Sequence, residues 1–253
     1  PNAGRRLWTP RATLRFGGVA LALLLPLAIG AAIEGTAVPR LLAAIGLVLA
    51  SLGFWALVSL LVARTDAASA TQAAILAGLW FAIALVIPAA AHLAINRAVP
   101  LPDAAEIIRE NREEVHAGWD RPKADTMQRF TAHYPEYADR ADMGTGFHWK
   151  WYFAFQHLGD LHVAAESAAR DAGIDRRESL AQGLGWLLPP LKLTQALQSL
   201  AGSDVGAELG YRARIREFHR QIREYHYPFL FDDRPMSEAD VAAAPSFGTP
   251  PAL

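Results

Sequence analysis

Three long apolar runs fill the first hundred positions. Phe16 to Ile33 is closed by Glu34, Leu41 to Ala63 lies between Arg40 and Arg64, and the third falls within Ala67 to Ala91, between Asp66 and His92. A helix crosses a bilayer with roughly 20 apolar residues. The pattern therefore predicts three transmembrane helices, over 14–33, 41–63 and 73–95. A signal peptide is a poor reading of the first run, because two more spans follow it and it lacks a convincing small-residue cleavage site.

Beyond residue 98 the pattern turns amphipathic. Pro100 and Pro102 close the apolar part, and Asp103 is placed to cap a helix reaching His116. The run Glu106, Arg109, Glu110, Arg112, Glu113, Glu114 reads as its solvated face. Trp151, Ala154, Leu158, Leu161, Ala165 and Ala168 alternate spacings of three and four, the mark of one helical stripe, with Gly173 expected as its end. Leu180 to Leu188 is a third apolar stretch, broken at Pro189-Pro190 and resumed over Leu191 to Leu200. After Gly202-Ser203-Asp204 comes a predicted helix over Ala207 to Tyr227. Its stripe Tyr211, Ile215, Phe218, Ile222, Tyr225 is expected to form a buried seam. Arg212, Arg214, Arg216, Arg220 and Arg223 fall largely off the stripe, and Pro228 is expected to stop the helix. The Pro- and Ala-rich tail from Asp232 is expected to be irregular. No run alternates long enough to argue a sheet. The fold class predicted is all-α: polytopic membrane helices over 1–98 and a mainly helical, water-facing domain over 99–253.

Charge sharpens this division. The 253 residues are 52% hydrophobic with a net charge of -1, but residues 1–98 hold only seven Lys/Arg and two Asp/Glu. The remainder holds 17 basic and 23 acidic residues, a net of -6. Two solvents are implied, lipid and water. No basic block tracks a phosphate backbone, which argues against nucleic acid. Cysteine is absent, so thiolate chemistry and disulfides are excluded. The chain starts at a proline, which reads as a fragment or processed product of something longer.

Arg5, Arg6, Arg11 and Arg15 precede the first span, so the positive-inside rule places that end in the cytoplasm. An odd number of spans then puts the charged domain in the periplasm. Gly17, Gly18, Gly30, Gly46, Gly53 and Gly78 suit close helix approach. No ionisable residue sits mid-span, which leaves an ion relay unsupported.

Candidate chemistry is sparse. His157 and Asp160 share a helix face, but His162 lies about 140° from His157 on an ideal helix, so the three are weak metal candidates against a reading as exposed polar residues. His219 and His226, with Glu217 and Glu224, read as surface residues of the last helix. Asp120, Asp125, Asp139 and Asp142 offer a carboxylate pair with nothing to fix its spacing. No nucleophile elbow and no P-loop occurs; Gly144-Thr145-Gly146 followed by Lys150 is a weak echo and a turn. The aromatic cluster Phe147, Trp149, Trp151, Tyr152, Phe153, Phe155 is open to three readings: core, interfacial belt or contact surface.

Two stretches resemble a known family. Arg64-Thr65-Asp66-Ala67-Ala68-Ser69-Ala70-Thr71-Gln72-Ala73-Ala74, then Leu79-Trp80 and Pro88, is similar to the short cytoplasmic turn and following span of permease subunits of ABC-2 type transporters with a large periplasmic insert, the DUF3526 group. Leu187-Leu188-Pro189-Pro190, then Leu200-Ala201-Gly202-Ser203-Asp204 and the helix with Phe218, resembles that group's signature in the insert. Pro189 stands where Ser is usual and Ser203 where Thr is usual. The resemblance implies six spans in the whole subunit, these three being the third to fifth, with the insert before the sixth. The family-motif positions are Trp80, Pro88, Pro189, Pro190, Gly202, Ser203 and Asp204.

The resemblance implies a membrane-spanning permease subunit of the bacterial inner membrane, not itself an enzyme and needing no cofactor. Its partners would be a cytoplasmic ABC ATPase subunit, a second permease copy or paralogue, and the lipid bilayer. The alternatives are a membrane-anchored periplasmic metal-binding protein or enzyme using His157, Asp160 and His162, and a structural scaffold.

Overall fold

The computed structural model describes residues 10–144 and 146–248. Arg5 and Arg6 of the basic cluster, Thr145, and the closing Pro250-Pro251-Ala252-Leu253 lie outside the described residues, as does the side chain of Arg11. Among the described residues there are helices and turns and no strand, so the all-α expectation holds.

Helices α1 (Pro10–Glu34) and α2 (Val38–Ala63) are followed by α3 (Ser69–Phe81) and α4 (Ile87–Ala98). The last two join through a π-helical segment, Ala82–Val86, into one apolar rod. There the ladder slips by one residue, with Ile87 N–H donating to Ala82 O. The slip directly precedes Pro88, which has no N–H to give and whose ring crowds the turn before it. Leu14–Glu34, Val38–Ala63 and Ser69–Ala98 run 21, 26 and 30 residues and are apolar enough to cross a membrane. The three spans expected from the hydrophobic pattern are therefore present, as befits a multi-pass membrane protein. Only Ala44 and Val62 among their side chains are buried within the chain, which leaves the apolar surface outward.

The rest of the described chain is α5 (Ala104–Asp120), α6 (Lys123–His133), a 3-10 segment Pro135–Arg140, α7 (Trp149–His162), α8 (Ala164–Gly185), α9 (Pro189–Leu200), α10 (Val205–Phe231) and α11 (Glu238–Ala242). The chain divides into two compact units. One comprises the residues up to Val99 together with Arg176–Ala207; the other comprises Pro100–Asp175 and the residues from Glu208 onward. The segment 176–207, read in the sequence as part of one water-facing domain, thus groups with the apolar helices.

In the first unit α9 packs along α2 and touches the π segment. Arg177 anchors the start of this segment, its Nε donating to Val99 O at 2.8 Å and its Nη2 to Asn96 O at 3.4 Å.

The second unit is built on α5, α6, α7 and the end of α10. Phe130, Ala154, Phe155 and Phe231 are fully buried at its centre. α5 and α7 approach closely through reciprocal glycines. A Cβ on Gly118 would lie 2.7 Å from Phe155 Cβ, and one on Gly159 would lie 2.5 Å from Val115 Cγ2.

Four local expectations are corrected. Gly173 does not end a helix; α8 runs through it, and the break falls at Val163 (φ -98, ψ 3). The glycine serves close packing, since a Cβ there would meet Leu101 Cδ2 at 2.4 Å. Pro228 does not stop α10, which continues to Phe231. It forfeits one backbone bond but still accepts from Asp232 N–H at 3.0 Å, and burial of Tyr227 and Phe231 holds the last turn in place. The stripe Tyr211, Ile215, Phe218, Ile222, Tyr225 is not a buried seam; none of the five is buried. Phe218 and Tyr211 instead meet Phe247 of the tail, at ring separations of 5.2 and 6.1 Å. That tail is not wholly irregular, because Ser237 and Asp240 form a capping box that starts α11.

Candidate functional site

The motif positions of the resemblance resolve into backbone engineering. Pro189 and Pro190 open α9 at its first two positions, where the missing N–H groups are not needed. At its other end Gly202 takes φ +64, Gly202 N–H donates to Ser199 O at 3.0 Å, and Ser203 N–H donates to Gln198 O at 3.0 Å. This is a Schellman closure, and the left-handed residue in it is the one that favours glycine. Asp204 then caps α10, its Oδ1 accepting from Ala207 N–H at 2.8 Å. Ala201-Gly202-Ser203-Asp204 is therefore one tight joint that ends a helix and starts the next within four residues. Trp80 lies on α3, half exposed.

The metal candidates do not converge. His157, expected to be exposed, is buried at 5% exposure in the aromatic core. Both ring nitrogens are engaged: Tyr134 Oη lies 2.9 Å from Nε2 and Tyr227 Oη 3.1 Å from Nδ1. Burial, then the Arg223 charge, pushes its pKa down to about 4, so the ring is neutral at pH 7, donating to one tyrosine and accepting from the other. Burial also drives the Tyr227 hydroxyl well above the ordinary phenol range. Asp160 is exposed and paired with Arg223, and His162 is exposed at the end of α7. Among the described residues no group of three or more His, Asp or Glu is arranged to hold a metal ion.

Several of the other candidates are engaged elsewhere. His226 Nδ1 meets Ile222 O of its own helix at 2.7 Å, and Glu217 and Glu224 both pair with Arg220. Asp142 accepts from Gly144 N–H. Lys150, the weak phosphate-loop echo, is buried, its Nζ 2.6 Å from Asp233 Oδ2 and 3.2 Å from Arg140 O. The ammonium and its hydrogen bond hold the Asp233 carboxyl below the usual carboxylate range.

The aromatic cluster splits. Trp151 and Phe155 are core, whereas Phe147, Trp149 and Phe153 are exposed. Trp149 and Phe153 of α7, with Ile222, Phe229 and Leu230 of α10, line a cavity of about 710 Å³ in the second unit. Its walls are largely apolar, and His148, Arg223 and Asp233 also line it. Hydrophobic spacing could not reveal this cavity or the Tyr134–His157–Tyr227 chain, because both join residues some 70 positions apart.

Three helices able to span a bilayer, together with a charged helical unit, are consistent with a multi-pass membrane protein that carries a folded accessory domain. The model of the DUF3526 family, a domain of unknown function, matches residues 105–249, more than half of the chain, and the chain belongs to that family. No curated protein and no solved structure matches it.

Proposed function

We propose that this chain is the membrane-spanning permease part of an ATP-binding-cassette transporter of the ABC-2 type, with ATP bound and hydrolysed by a separate cytoplasmic subunit. The observation that carries the reading is the joining of a DUF3526 domain to three apolar helices within one chain. The similarity of both motif stretches to ABC-2 permeases supports it. In this reading the protein is multi-pass in the bacterial inner membrane, residues of the charged unit face the periplasm, and a second permease copy or paralogue completes the assembly. ATP-driven movement of the spans would be passed to the periplasmic unit. The sequence has no phosphate-cradling loop, which suits a chain that leaves ATP hydrolysis to its partner subunit.

The test is purification from native membranes. A P-loop ATPase should co-purify, with ATP hydrolysis that disappears when the ATPase's P-loop lysine is replaced. Hydrolysis persisting after every co-purifying ATPase is removed would falsify the permease reading.

A further inference from the structure

The cavity of about 710 Å³ lies wholly within the second unit. Its size falls in the range of roughly 300–1,000 Å³ usual for small-molecule sites. Trp149 and Phe153, four apart on one face of α7, form one wall. Ile222, Phe229 and Leu230 of α10, with Met236 beyond it, form the other. Trp149 and Phe153 are 57% and 46% exposed, whereas Trp151 and Phe155 of the same helix are buried. The unit therefore has a closed core and, beside it, a second apolar surface.

The charges at this surface leave one cation over. Arg223 is paired with Asp160. Asp233, the one carboxylate in the lining, takes the buried Lys150 ammonium at 2.6 Å and faces His148 Nε2 at 3.3 Å. His226 commits Nδ1 to Ile222 O. Arg234 differs: among the described residues it forms no ion pair. Asp240 is within its electrostatic reach, but that carboxylate accepts from Ser237 N–H at 2.8 Å and Ser237 Oγ at 2.7 Å.

The backbone holds Arg234 where it is. Asp233 turns the chain out of α10 at φ 51, and Arg234 N–H donates back to Phe229 O at 2.9 Å, the long bond of a Schellman closure. The guanidinium then sits 3.9 Å over the ring of Phe229, itself part of the wall. Stacking occupies a face of the guanidinium and leaves its N–H fork free at the edge, the geometry that grips a carboxylate through two parallel bonds. The apolar walls match a hydrocarbon body, and Arg234 matches a single negative head. A metal ion or an amine meets only a carboxylate that is already paired, and a polyanion meets only one cation to spare.

We propose that this cavity binds an amphiphilic monocarboxylate, its hydrocarbon body against Trp149, Phe153, Ile222 and Leu230 and its carboxylate on Arg234. This goes beyond the transporter reading and does not rest on it.

The test uses the full chain in nanodiscs of zwitterionic phospholipid, titrated calorimetrically with decanoate and with decanol at pH 7, where the acid is ionised. Titrations of empty nanodiscs are subtracted. Decanoate should bind saturably, one per chain, and about tenfold or more tighter than decanol, as a charge-assisted bond implies. Arg234→Gln should bring decanoate down to the affinity of decanol and leave decanol unchanged. Phe153→Ser should weaken both ligands several-fold. Both positions are exposed, and unchanged circular-dichroism melts confirm that the variants fold. No saturable binding above empty nanodiscs overturns the proposal. So does equal affinity for the two ligands, or a preference for decanoate that survives Arg234→Gln. Binding that is indifferent to Phe153→Ser places the ligand elsewhere and overturns it as well.

Discussion

Lys150 Nζ lies 2.6 Å from Asp233 Oδ2, joining the first turn of α7 to the residue that follows the end of α10 by two places. The Lys150 side chain is 3% exposed, whereas that of Asp233 is 60% exposed. Asp233 is also the one non-glycine described residue with a positive φ, at 51. The two constraints reinforce one another. The buried ammonium requires an anion at this corner, and the anion is delivered by a left-handed backbone that Asp tolerates better than most residues.

Removing the anion should therefore cost more than removing both charges. Asp233→Ala leaves a buried ammonium with Arg140 O as its remaining partner and should destabilise by about 1–3 kcal/mol. Asp233→Ala combined with Lys150→Met should recover part of that loss. Thermal melts of the purified chain followed by circular dichroism check the order of the three proteins. A double variant less stable than Asp233→Ala alone would contradict it.

His157 makes the fold acid-sensitive. Its folded pKa, about 4, lies below the ordinary 6.5. Between those values the unfolded chain binds the proton and the folded chain does not, so stability falls as pH falls through that window. The full effect is about 3 kcal/mol. Asp233 acts in the same direction: its lowered pKa gives stability that is lost as pH drops through its folded value. Melts at pH 7, 6 and 5 should show a decline that His157→Gln flattens. An equal slope in that variant would place the acid sensitivity elsewhere.

The core and the α10 stripe should respond differently to truncation. Phe130 has no exposed surface and stacks on Phe231 at 5.3 Å, so Phe130→Ala should cost about 3–5 kcal/mol. Phe218 is half-buried against Phe247, and Phe218→Ala should cost about 1–2 kcal/mol. Denaturant midpoints at constant slope give both numbers. Equal losses would show that the tail packs as tightly as the core.

The expected topology is tested on the same cysteine-free chain. With cysteine at Asp125 or Ser69, an impermeant thiol reagent on intact spheroplasts should label position 125 and spare position 69. The reverse pattern would invert the orientation drawn from the basic N-terminal cluster.

Much of the fold was legible because hydrophobic periodicity is local. The three rods, the N-caps at Asp103 and Asp204, and the opening of α9 at Pro189-Pro190 each depend on residues within one or two turns. The candidate site was less legible. His157 reads as a polar residue beside a stripe until α6 and α10 bring Tyr134 and Tyr227 to its two nitrogens. Gly173 and Pro228 sit inside helices for a related reason. Their helix-breaking tendency costs about 1 and 3 kcal/mol, which burial of neighbours such as Tyr227 and Phe231 can outweigh.

The sequence by itself determined that this is a helical protein of two solvents, because burying a charge in lipid is too costly to be hidden by any fold. It also determined the tight joint at Gly202-Ser203-Asp204, because a Schellman closure and an N-cap are decided by adjacent residues. Only the tertiary structure decided that residues 180–202 group with the apolar helices. A weakly charged, amphipathic helix pair could pack on either unit, and its place rests on α9 packing against α2 and on Arg177 meeting Val99, contacts between segments 78 or more positions apart.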